Sequence, residues 1–106
     1  MIDFDKVIEE RLAKIKETLA MKAMEYATDD DRFHNFRVAG RRANTTPERA
    51  LMGMMAKHEV SVLDLVRWLE TDDIMFSRKL VDQKIGDNIN YLILLEGLLL
   101  ERMDND

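Results

Sequence analysis

The chain has 106 residues, 35% of them charged and 46% hydrophobic, with a formal net charge of −5 and no cysteine. Its length gives one domain, residues 1–106, and its acidic balance argues against binding a nucleic-acid backbone. The missing cysteine removes disulfides, thiolate nucleophiles and zinc–thiolate centres together and suits a reducing cytoplasm.

One proline and four glycines leave long helices as the expected answer. The N-terminal MIDFDKVIEE carries acids where a secretion signal needs a basic and then an apolar run. A first helix is predicted from Asp3 to Tyr26, with Leu12, Ile15, Leu19, Ala23 and Tyr26 on its apolar face. The stretch TDDDRFHNFRVAGRRANTT breaks that pattern and predicts a loop from Thr28 to Thr46 holding a short helix near Arg32 to Val38. In TTPE, Thr45 and Glu48 have capping-box spacing and Pro47 fits a first turn, so a second helix starts there. Its apolar stripe is Leu51, Met55, His58, Val62, Leu65 and Leu69, and Thr71-Asp72-Asp73 ends it. A third long helix is predicted from Ser77 to Met103, its core face marked by Ile85, Ile89, Leu92, Leu95 and Leu99. Leu94, Leu98 and Leu100 widen that face towards an apolar surface all round. The longest apolar run, Ile89 to Leu100, is broken by Asn90, Glu96 and Gly97 and is too short to span a bilayer. The reading is an all-α bundle of three long helices and a short one, with no membrane partner. Covering the third helix on every side calls for a homo-oligomer, a dimer or tetramer.

Residues three, four and seven apart share a helix face. This aligns Met54, Lys57, Ser61, Asp64 and Trp68 beside the apolar stripe that holds His58. It likewise aligns Lys84, Asp87, Asn90, Tyr91 and Leu94 on the third helix. Antiparallel packing would set Ser61 and Asp64 against Asp87 and Asn90 as an inward polar site. Carboxylate oxygens at that spacing are the ligands that Mg²⁺ or Mn²⁺ takes. Each residue also has a plainer reading. His58 suits a hydrogen-bonded core histidine, Asp87 and Asn90 a register-setting interface, and Lys57 and Lys84 simple ion pairs. Met52, Met54 and Met55 suit core filler, and Asp29 to Asp31 a solvated turn or a helix cap.

The segments KAMEYATDDDRFHNF, TPERALMGMMAKHEVSVLDLV and KIGDNINYLILLEGLL resemble a phage and prophage family, nucleotide-modification-associated domain 1. That family in turn resembles the all-α NTP pyrophosphohydrolases, the MazG and dimeric dUTPase superfamily, over about Lys22 to Leu99. The resemblance implies a MazG-like fold that binds a nucleotide, a dNTP foremost, and cleaves it to the monophosphate and pyrophosphate with Mg²⁺ or Mn²⁺. Asp87 matches the last acid of that superfamily's second carboxylate pair, with Asp64 as the second metal ligand. Lys84 stands where the pair's first acid belongs, and His58 and Ser61, or Ser61 and Asp64, replace the first pair. The implied catalytic set is Lys57, His58, Asp64 and Asp87. Lys22, Tyr26, Asn35, Phe36, Ser61, Lys84 and Asn90 would hold base, sugar or phosphate. With about two inward carboxylates in place of four, the competing expectation is a non-catalytic oligomeric module that contacts phage replication or nucleotide-modification enzymes. An acidic mimic of nucleic acid is a third reading, opposed by Arg37, Arg41 and Arg42.

Overall fold

The computed structural model describes residues 1–25, 31–72 and 76–104. Those residues form four helices and no strand: α1 Phe4–Glu25, α2 His34–Arg42, α3 Pro47–Glu70 and α4 Arg78–Asp104. The all-α expectation of three long helices and a short one therefore holds.

Local chemistry fixes the helix ends. The Asp3 carboxylate accepts the Lys6 N–H at 3.3 Å, and the Ser77 hydroxyl accepts the Leu80 N–H at 3.3 Å. Both act as N-caps for α1 and α4. The short helix α2 begins and ends later than predicted. At its end the Thr45 N–H bonds to Gly40 O at 2.8 Å and the Asn44 N–H to Arg41 O at 3.2 Å. Asn44 is left-handed, with φ 57°, so this is a Schellman closure with asparagine in the usual glycine position. Thr45 is thereby committed to ending α2. The N-cap of α3 falls to Thr46 instead, whose hydroxyl accepts the Arg49 N–H at 3.1 Å. Glu48, expected in a capping box with Thr45, makes a two-pronged pair with Arg102 of α4 at 2.9 and 3.0 Å.

Packing radiates from α4. The short link after α3 makes α3 and α4 an antiparallel hairpin, and α2 lies across α3. The core is Phe36, Leu51 and Leu98, with Phe33, Met54, Tyr91, Leu94 and Leu95 packed against it. Two glycines allow close approach. A Cβ on Gly40 would lie 2.9 to 3.0 Å from backbone atoms of Thr46 and Pro47, and one on Gly97 would lie 2.7 Å from the Phe33 ring. Arg37 clamps α2 to α4, reaching Asp31 and Glu101 at 2.7 Å each.

Among the described residues α1 packs on α4 alone. Asp82 anchors it, taking Arg11 at 2.7 Å and Lys14 at 2.6 Å. With α3 and α1 both seated on α4, the buried positions of α4 are Gly86, Asn90 and Leu98. The predicted core face is thus corrected: Leu92 and Leu99 are 52% and 47% exposed, on the arc that neither neighbour reaches. Phe4, Ile8 and Leu12 of α1 and Leu63 and Leu69 of α3 are exposed as well. The radius of gyration is 16.1 Å, against about 13 Å for a compact chain of this length. Among the described residues no helix is long and apolar enough to cross a membrane.

Three inter-helix or capping carboxylates titrate low. Arg37 holds Asp31 below its ordinary value, Arg102 does the same for Glu48, and Lys14 and then Arg11 for Asp82. Each carboxyl binds its proton less readily folded than unfolded, so the stabilisation is intact at neutral pH and is lost as pH falls. Thermal melts should therefore be flat from pH 7 to about 5 and decline between about pH 5 and 2. Arg37→Ala should lower the midpoint at pH 7 and reduce the size of the acid decline.

Candidate functional site

The predicted polar residues separate into two groups. On the α3–α4 seam, the Asn88 side chain donates to His58 O at 2.8 Å and to Lys84 O at 2.9 Å, satisfying two carbonyls and fixing the register. The His58 ring lies 4.9 Å from that of Tyr91, and its Nδ1 is 3.6 Å from the Asp87 carboxylate. Spacing thus brings His58 and Asp87 together. Lys84 leans over the Trp68 ring at 5.5 Å, a cation–π contact. Asp64 engages Arg67 on its own helix at 3.3 Å, while Lys57 is exposed and Ser61 half-buried. Asp64 and Asp87 therefore engage different partners. Among the described residues no three acids or histidines converge as a metal site. Mg²⁺ is commonly held by one or two carboxylates, with waters and substrate phosphates completing its octahedron; here Asp64 faces Arg67 and Asp87 faces His58.

The second group surrounds a 460 Å³ cavity beside α2, whose lining also draws on α1, α3 and α4. Asn35 and Phe36, both predicted, line it, with Tyr91, Met54, Leu94 and Leu19 completing the apolar part. Phe36 and Tyr91 meet edge to face, with centroids 6.3 Å apart. Three basic residues stand on its wall, Arg32, His34 and Arg42, and among the described residues no carboxylate does. The volume lies within the range of small-molecule sites, roughly 300–1,000 Å³, and the make-up is the usual one of apolar walls with few polar groups. Arg37 is excluded from this role because Asp31 and Glu101 consume its guanidinium and raise its pKa further. Arg32 and Arg42 make no ion pair among the described residues.

Sequence reasoning missed Arg32, His34 and Arg42. The available signal was HNFRVAGRR, a helix without a single acid in a chain of net charge −5. Asp87 and Asn90 instead line a separate 330 Å³ pocket between α1 and α4. Lys22 lies in α1, but its side chain, like Tyr26, falls outside the described residues.

Comparison with protein-family models, with curated proteins and with solved structures returns no match.

The two carbonyl bonds of Asn88 should make it a structural element of the seam. Asn88→Ala should cost about 1–2 kcal/mol in urea unfolding, whereas replacing exposed Lys57 by Ala should change stability by less than about 0.5 kcal/mol.

Proposed function

We propose that the chain binds a nucleoside phosphate in the cavity beside α2. One observation carries this reading: two arginines, Arg32 and Arg42, stand over an aromatic floor of Phe36 and Tyr91, with His34 beside them. Guanidinium groups hold phosphate through paired hydrogen bonds, and aromatic faces stack on bases. Asn35 adds an amide that can read a base edge. The family resemblance supports the same ligand class and makes cleavage of a dNTP to monophosphate and pyrophosphate, in a phage or prophage cytoplasm, the reaction to look for. His58, Asp64, Asp87 and Lys57 are the residues it nominates. The proposal is binding, with turnover as the further question.

A thermal-melt panel of ribo- and deoxyribonucleoside mono-, di- and triphosphates against Mg²⁺, Mn²⁺ and EDTA tests it, since a ligand of the folded state raises the midpoint by mass action. A shift that survives EDTA and weakens about tenfold in affinity in Arg32→Ala or Arg42→Ala is expected. A flat panel from a folded protein would remove the proposal. Release of pyrophosphate that Asp87→Ala abolishes would extend it to catalysis.

The second reading, a homo-oligomeric module, rests on surface. The chain exposes 8209 Å², about 2,000 Å² more than the roughly 6,100 Å² of a folded monomer of its mass. Two chains each burying that surplus would fall among permanent homodimers, whose interfaces bury about 2,000–5,000 Å² in total. Light scattering at micromolar concentration should return at least twice the 12.4 kDa chain mass; a monomeric mass would exclude this module.

A further inference from the structure

The buried stripe of α4 runs Gly86, Asn90, Leu98, and Asn90 is out of place in it. A leucine there would continue the apolar seam. Asn90 is only 6% exposed, and its Oδ1 is fully buried without a hydrogen-bond partner. A buried acceptor left unmade costs stability, so its retention calls for a reason. Asn90 also lines the 330 Å³ pocket between α1 and α4, far roomier than one water requires.

We infer that this pocket is a recognition site for a neutral nitrogen heterocycle or primary carboxamide, read by the Asn90 amide once its side chain turns the buried Oδ1 into the pocket. A carboxamide presents one donor and one acceptor side by side whichever way it is turned. Its complement is an edge with an adjoining acceptor and donor, as in a lactam, an aminopyridine-type ring or another carboxamide. The walls agree with a flat, uncharged ligand. Ile15 and Met21 offer apolar and polarizable faces to a ring. The two cations, Arg11 and Lys14, are spent on Asp82 at 2.7 and 2.6 Å. Glu17 and Asp87 at the same pocket oppose an anion, so phosphate belongs to the other cavity. The site is separate from the one assigned to nucleoside phosphate, and each can fail without the other.

The test uses the wild-type chain and its Asn90 side-chain NH₂ resonances. Uracil, cytosine, adenine and nicotinamide are titrated at millimolar concentration, each beside an analogue N-methylated at the reading edge. At least one probe should shift the Asn90 amide saturably and its blocked analogue should not; the active probe tells a nucleobase from a carboxamide. Asn90→Leu should fold, melt at or above the wild-type midpoint, and bind that probe at least about tenfold more weakly. If no probe moves the Asn90 resonances, or if Asn90→Leu binds as the wild type does, the inference is wrong. The wild-type titration decides the matter even if the variant fails to fold.

Discussion

One helix organises the described structure: α1 and α3 both pack on α4, and several of its leucines stay exposed. α4 spans 27 residues and receives α3 on one side and α1 on another, while α2 reaches it through Phe33, Phe36 and Arg37. With α1 seated on α4 alone, the chain is 47 Å in its longest dimension and leaves Leu92, Leu99, Leu100 and Met103 in solvent. A helix apolar all round needs neighbours all round.

Charge is distributed to match. Four arginines are consumed in tying elements together or in local pairing: Arg11 on Asp82, Arg37 on Asp31 and Glu101, Arg67 on Asp64, and Arg102 on Glu48. Those pairs are partly exposed, and each contributes modestly to stability. Arg32 and Arg42 are not used in this way and flank an apolar-floored cavity. Lysine and arginine near a helix C-terminus also favour the helix dipole, which accounts for Arg42 as a helix former. It does not account for Arg32, which precedes α2.

Much of the fold could be read from the chain because its signals are local. Pro47 and Ser77 marked the starts of α3 and α4, and in the predicted α3 stripe Leu51, Met55 and Leu65 are buried while Leu69 is exposed. The failures have physical causes. The end of α2 depends on Asn44 adopting a left-handed backbone, which asparagine signals less strongly than glycine, and that shifted the α3 cap from Thr45 to Thr46. The buried face of α4 was misplaced because a helix apolar on every side has no strong periodic signal. The cavity was half legible: Asn35 and Phe36 sit in it, but its basic wall forms only when α2 folds back over Tyr91. Asn90 stood out as a polar residue opening a greasy run. Its burial against α1 depends on a packing that no local pattern encodes.

A nucleotide seated in the cavity beside α2 is the central expectation. The most direct measurement is an amide and side-chain chemical-shift map of the chain titrated with a nucleoside monophosphate in EDTA. Saturable shifts should concentrate on Arg32, Asn35, Phe36, Arg42 and Tyr91. Shifts confined to Asp64, Asp87 and Lys57, or none in a folded chain, would contradict it.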